Sequence, residues 1–132
     1  MPTLEQISSE KYASLTTFRK DGTPVATPVW VLPAAGGAAV WTVSDSWKVK
    51  RVRNNPRVTV AACDVRGNLR GDAVEGRARL GDEAERDHFA GVLARKYKML
   101  GVFGTLRYRL LGKRQRERIT VIIVEPALEG AA

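Results

Sequence analysis

One cysteine, Cys63, and one histidine, His88, are all that this 132-residue sequence holds of either type. A disulfide within the chain is therefore excluded, and a tetrahedral zinc site would need more thiol and imidazole ligands than these two supply. No apolar run approaches the roughly 20 residues of a membrane-spanning helix. The opening residues, Met1-Pro2-Thr3-Leu4-Glu5, carry neither the basic nor the apolar stretch of a secretory leader, so a cytoplasmic protein without membrane insertion is expected. Glycine-rich phosphate loops of the dinucleotide or P-loop type are missing as well. Asp72, Glu75, Asp82 and Glu83 form no spacing that reads as paired acid and base, and His88, in mid-helix beside Phe89, reads as a surface or packing residue. No residue announces itself as a proton donor. Chemistry without reactive groups of the chain's own is commonly carried by a borrowed cofactor.

What the sequence has in excess is positive charge. Lysine and arginine number 22 against 14 acids, a net charge of +8, and such an excess implies an anionic partner. The composition, 44% hydrophobic and 27% charged, is that of an ordinary globular chain, and residues 1–132 read as a single domain. Thr3-Leu4-Glu5-Gln6 has capping-box spacing for a short helix. Strands are expected at Tyr12 to Phe18, then past the Asp21-Gly22 turn at Val25 to Leu32, and, after a turn over Pro33 to Gly37, at Ala38 to Ser44. Pro28 within the second strand implies a bulge or a free edge.

Ser44, Asp45 and Ser46 are candidate caps for a helix from about Ser46 to Asn54, stopped by Pro56, with Val49 and Val52 on its inner face. Further strands follow at Val58 to Cys63 and, after a turn over Asp64 to Asn68, at Leu69 to Leu80, where Gly71 and Gly76 are candidate bulges. Asp82 precedes Glu85 with cap spacing and starts a long amphipathic helix to Lys98. Residues 99–113 are ambiguous, and Ile119 to Val124 is the last strand, closed by Pro126. This order gives an α+β fold, a six-stranded antiparallel barrel or sandwich; the near-continuous antiparallel connections favour the barrel.

Two basic clusters stand out. Trp47-Lys48-Val49-Lys50-Arg51-Val52-Arg53, extended to Arg57, carries five cations and no acid. Cations at a helix start oppose the dipole, and together with unpaired amide donors they build an anion site. The second cluster, Lys98 to Arg118, holds seven cations and only Glu117 as an acid, with Tyr108, Leu110 and Leu111 interleaved. Nucleic acid must be weighed for it, but no helix-turn-helix, zinc or RNA-sheet motif accompanies the charge.

Trp41-Thr42, Ser46-Trp47-Lys48 and Asn55-Pro56 before an apolar strand, followed by Gly76-Arg77-Ala78-Arg79-Leu80, resemble the phosphate-binding layout of the pyridoxamine 5'-phosphate oxidase-like superfamily over roughly residues 8–126. The resemblance implies a six-stranded split barrel that dimerises with its cofactor at the subunit interface. It further implies that Lys48, Lys50 and Arg51 hold phosphate, while Thr27, Pro28, Val29 and Trp30 line a flavin-type ring with Trp41 and Thr42 behind it. Two departures weigh against FMN and pyridoxamine phosphate: Trp47 replaces the family's arginine, and Thr27-Pro28-Val29-Trp30-Val31-Leu32 replaces Arg-x-Val-Leu-Leu-Lys. Short members with the Pro-Val-Trp strand and Lys-x-Lys-Arg helix are similar to the branch that uses factor 420, an 8-hydroxy-5-deazaflavin whose tail of carboxylates would suit the second basic cluster. The implied function is hydride transfer between that coenzyme and a small organic substrate. An FMN-dependent oxidase or electron-transfer protein is the alternative; a non-enzymatic cofactor carrier or a nucleic-acid-associated protein is the alternative of another class.

Overall fold

A computed structural model describes residues 2–97 and 112–127. The elements are α1 (Leu4–Ser8), β1 (Tyr12–Phe18), β2 (Pro24–Ala34), β3 (Gly37–Val43), α2 (Trp47–Asn54), β4 (Arg57–Cys63), β5 (Val74–Leu80), α3 (Glu83–Lys96), α4 (Lys113–Arg116) and β6 (Ile119–Pro126). The six strands close into an antiparallel barrel in the order β1-β2-β3-β6-β5-β4. The expected α+β barrel is what the chain forms.

Alternation along each strand builds two apolar layers. Leu15, Val31, Val40, Val58, Val60, Ile122 and Val124 fill the interior, joined by Leu4 and Ile7 of α1 and by Val49 and Val52 of α2. On the outer face, Leu32, Ala39, Val121 and Ile123 are covered by Phe89, Val92 and Leu93 of α3. α1 and α2 sit at opposite ends of the barrel. Glu5 of α1 accepts from the Gly36 amide at the β2–β3 turn, whereas Arg51 of α2 reaches Thr17 beside the β1–β2 turn.

The barrel is held unevenly. β2 pairs with β1 from Pro24 to Trp30 and with β3 only from Val31 to Ala34. Beyond the last pair, Val31 with Val40, β2 and β3 part as a fork whose first unpaired positions are Trp30 and Trp41. The fork opens toward the β1–β2 turn and α2. Pro28 lies opposite Ser14 in continuous register, so the free-edge alternative holds and the bulge does not: its missing N–H costs no ladder bond on the open side.

Local signals account for most boundaries. Thr3 and Gln6 form a reciprocal capping box, as do Asp82 and Glu85, and Ser46 caps α2. Three expectations need correction. The turn expected over Pro33 to Gly37 shrinks to Ala35-Gly36, because Gly36 takes a φ of 72° and Pro33 lies beyond the reach of β1, where one neighbouring strand suffices. The strand expected from Leu69 begins at Val74; Leu69 makes only an isolated bridge to Cys63, since Gly71 and Asp72 are poor strand formers. Gly76 is no bulge. It pairs regularly with Val58, and a Cβ there would stand 2.6 Å from Val124 Cγ1, so glycine is required by close packing. α3 ends at Lys96; Lys98 and most of the ambiguous stretch 99–113 lie outside the described residues.

The C-terminal end of α3 is latched to the barrel. Lys96 Nζ donates to the carbonyls of Ser8 at 2.7 Å, Glu10 at 2.5 Å and Val31. Burial pushes the ammonium down to about 8, against the opposing pull of the Glu10 carboxylate. Tyr97 donates its hydroxyl to Lys11 O at 2.7 Å and Val31 O at 3.0 Å, while its ring stacks on Trp30 at 4.9 Å. Lys96→Met, which leaves the three carbonyls without their charged donor, is expected to cost about 1.5–3 kcal/mol in urea melts, and Tyr97→Phe about 1 kcal/mol. A Gly37→Ala Cβ would meet Val124 O at 2.2 Å and should cost about 1–3 kcal/mol or more. Gly71→Ala, facing open space, is the matched control and should be close to neutral.

Candidate functional site

α2 is positioned from both sides. Ser46 Oγ accepts from the Val49 amide at 3.4 Å, and Val49 and Val52 anchor the helix in the barrel interior. Helical spacing then turns Trp47, Lys50, Arg51 and Asn54 toward the β1–β2 turn. These four, with Phe18, Arg19 and Lys20, line a cleft of about 440 Å³. Lys50 Nζ stands 4.4 Å from the Trp47 ring centroid, and the Arg57 guanidinium covers Phe18 at 4.7 Å. Arg51 donates its Nε to the hydroxyl of Thr17 at 2.6 Å, and Thr17 is fully buried.

The electrostatics of this end are one-sided. Burial and the neighbouring Arg19 lower the Arg51 pKa; burial and Arg51 lower that of Lys48. Lys48, Arg51 and Arg19 thus form a row of mutually repelling cations. Among the described residues, no ion pair includes Arg19, Lys20, Lys48, Lys50 or Arg51. Elsewhere the chain pairs its charges readily: Arg57 with Glu75 at 2.6 Å, and Arg79 with Glu85 at 2.7 Å and Glu125 at 3.3 Å. The Arg79 guanidinium holds Glu85 down to about 2. The dipole conflict expected for α2 is narrower than the cluster suggests, because Arg51 and Arg53 fall in the last turn, where cations suit the dipole. It is confined to Lys48 and Lys50.

Residues 3–126 match the pyridoxamine 5'-phosphate oxidase family. The chain belongs to that family. No curated protein matches the sequence. Among solved structures of the same fold is an F420 reductase, 20% identical, covering 96% of this chain and 96% of its own, with a TM-score of 0.61. The conserved protein Rv2991 of Mycobacterium tuberculosis is 21% identical over 91% of this chain and 75% of its own, with a TM-score of 0.66. HutZ, the heme storage protein of Vibrio cholerae, is 12% identical over 96% of this chain and 92% of its own, with a TM-score of 0.64. At these identities the likeness is one of fold.

Within this family member, the residues singled out from sequence separate into groups. Thr27, Pro28, Val29 and Trp30 lie on the stretch of β2 that pairs with β1 but not with β3, and Trp41 and Thr42 on the facing stretch of β3. Alternation divides them: Val29 packs into the interior cluster, while Trp30 and Trp41 join the outer cluster with Tyr97, and Pro28 is exposed, its ring 3.8 Å from where a Cβ on Gly67 would stand. Lys50 and Arg51 line the cleft, and Lys48 does not. Arg19, Lys20 and Thr17 carry no warning in the sequence. A two-residue basic run is inconspicuous among 22 cations, and only the packing of α2 on β1 makes it part of the site.

His88 is exposed and set edge-on to Phe89 at 4.9 Å, as a surface packing residue would be. Of the second basic cluster, Lys98, Arg107 and Arg109 lie outside the described residues, and Arg114 and Arg118 are exposed. Among the described residues no cluster of metal-binding side chains occurs, and no helix is long and apolar enough to cross a membrane.

The lowered Lys48 pKa has a sign that can be tested. The folded protein sheds this proton before the unfolded chain does, so the charged form weakens folding below the lowered pKa. Stability then rises as pH climbs from there toward the ordinary lysine value of 10.5. Lys48→Met should raise the urea midpoint at neutral pH and flatten the rise at alkaline pH. An unchanged or lowered midpoint would show that the row of cations carries no strain.

Proposed function

We propose that the protein is a deazaflavin-dependent oxidoreductase that passes hydride between factor 420 and a small organic substrate. The observation that carries this reading is the row of cations at the open end of the β2–β3 fork, which form no ion pair among the described residues. A fork with one apolar wall suits a planar ring, and cations with no acidic partner among the described residues suit the anionic arm of the same molecule. Lys48, Lys50 and Arg51 would hold that arm. Pro28 and Trp30 would shape the ring wall, with Thr27 and Val29 on the alternate face of β2 and Trp41 and Thr42 across the fork. The F420 reductase of the same fold supports the choice of coenzyme.

The coenzyme, when bound, would supply the hydride chemistry. The chain's own work would be orientation, exclusion of water and electrostatic placement. FMN is the second reading, favoured by the family's general chemistry. The cations of this end exceed what a single phosphate needs, and this tilts the choice toward the more highly charged coenzyme.

The pocket would be completed by a second subunit. Val43 on the free stretch of β3, and Val65 and Leu69 on the loop beside Pro28, are each more than half exposed. Apolar side chains left open around a half-walled site are what a two-fold partner would cover. Sedimentation should therefore find a dimer, and a monomer with full cofactor affinity would overturn the shared site.

The anchoring residues give the sharpest test. Lys48→Ala/Lys50→Ala/Arg51→Ala should lower deazaflavin affinity by more than tenfold, a loss of at least about 1.4 kcal/mol. Its melting curve should stay cooperative, since the three side chains are not core residues. Fluorescence titration of both proteins reads this out; a smaller change would make α2 a solvated face.

A further inference from the structure

β2 changes partners between Trp30 and Val31. Its last rung with β1 is Tyr12 with Trp30, and its first with β3 is Val31 with Val40. Residues 8–11, which lead into β1, leave the ladder at this point, and the carbonyls of Ser8, Glu10, Lys11 and Val31 converge on the end of α3. Three ammonium hydrogens of Lys96 and the hydroxyl hydrogen of Tyr97 meet those four carbonyls, and Val31 O accepts from both side chains. Two adjacent residues of one helix thus replace the rungs lost where β1 and β2 diverge. The same pair reaches the fork, because the Tyr97 ring stacks on Trp30 at 4.9 Å with the planes only 20° apart. We infer that Lys96 and Tyr97 are positioning residues: they set where the Trp30 indole stands, and through it the wall of the fork that receives the planar ligand. The identity of that ligand rests on the deazaflavin reading, whereas the seating of Trp30 stands on the contacts alone.

The arrangement asks more of these side chains than attachment of a helix. Leu93, Val92 and Phe89 already bury the apolar face of α3 on the barrel, so its docking does not need a half-buried ammonium. Lys96 is a costly residue to place there, since burial opposes its charge and only the Glu10 carboxylate is named as favouring it. Its three fixed donors nevertheless hold one point, the Val31 carbonyl beside Trp30, from a direction that neither neighbouring strand supplies. Tyr97 is tied by its hydroxyl at two acceptors, Lys11 O and Val31 O, which fixes the plane of its ring and hence the plane offered to Trp30. Burial pushes that hydroxyl up to about 12, so it remains a donor throughout the neutral range. Aromatic stacking of this kind favours one offset over others, and the indole is left with one seat on the outer face of β2 at the mouth of the fork.

The test uses the full chain and two readouts: the indole N–H resonance of Trp30, assigned with Trp30→Phe, and the affinity for deazaflavin by fluorescence titration. Tyr97→Leu should shift and broaden the Trp30 resonance and lower affinity about fivefold or more. Lys96→Met should do the same in smaller measure. Tyr97→Phe, which keeps the stack, should return both readouts to within about twofold of the unmodified protein. Val58→Ala opens a cavity in the interior cluster and should lower the melting temperature without moving the Trp30 resonance. Should Tyr97→Leu fail to fold, Lys96→Met carries the same comparison against Val58→Ala. An indole resonance that stays in place in both α3 variants, or that moves equally in Val58→Ala, would overturn the positioning role. A displaced indole with unchanged deazaflavin affinity would overturn the link to the ligand wall. A displaced indole in a protein that binds no deazaflavin in unmodified form would sustain the seating of Trp30 and overturn the cofactor reading.

Discussion

Arg51 occupies the point on which the site depends. Its Nε is tied to Thr17, a side chain buried at the end of β1, and its charge lies beside Lys48 on one hand and Arg19 on the other. A guanidinium free to swing would relax away from like charges into solvent, where screening acts within about 8 Å. Held by the threonine, it keeps the two halves of the cationic row in contact. The barrel thus keeps an unfavourable local field in place at one end, and an anionic ligand, as proposed, would relieve it. Locally costly arrangements of this kind collect at functional sites.

The rest of the fold supplies the rigidity this requires. Interior residues such as Leu15, Val31 and Val60 are almost wholly buried, and Val49 and Val52 fasten α2 to the same cluster. At the opposite end α1 closes the barrel, and Lys96 and Tyr97 tie α3 to β2 at Val31. That tie falls at the last residue of β2 paired with β3 before the fork. The open stretch of β2 therefore begins at a residue held from three directions, and Trp30 beside it is steadied by its stack on Tyr97. A fork braced at its root can stay open without unravelling the sheet.

Much of this was legible in the sequence, for reasons that are local. Capping boxes at Thr3 and Asp82, the Asp21-Gly22 turn and Pro56 are short-range signals, and each boundary they marked is where the backbone turns. The failures came where the deciding contact is remote. Gly76 reads as a bulge until Val124 is known to press against it, and Leu69 reads as a strand until the glycine and aspartate after it are seen to part it from β5. Lys48, Lys50 and Arg51 stood out because they crowd within four residues of one helix. Arg19 and Lys20 did not, because their meaning arises from the pairing of β1 with β2 and from the seating of α2, which no window along the chain contains.

On the proposed reading, charge decides between the two cofactors. FMN brings one phosphate, whereas the deazaflavin brings a phosphodiester and further carboxylates, and the open end of this barrel gathers five cations with no described acidic partner. The most direct measurement is competition between the two coenzymes for the unmodified protein, followed by fluorescence at constant ionic strength. The account predicts that the tailed deazaflavin displaces FMN, with an affinity higher by about tenfold or more. Tighter binding of FMN would contradict it.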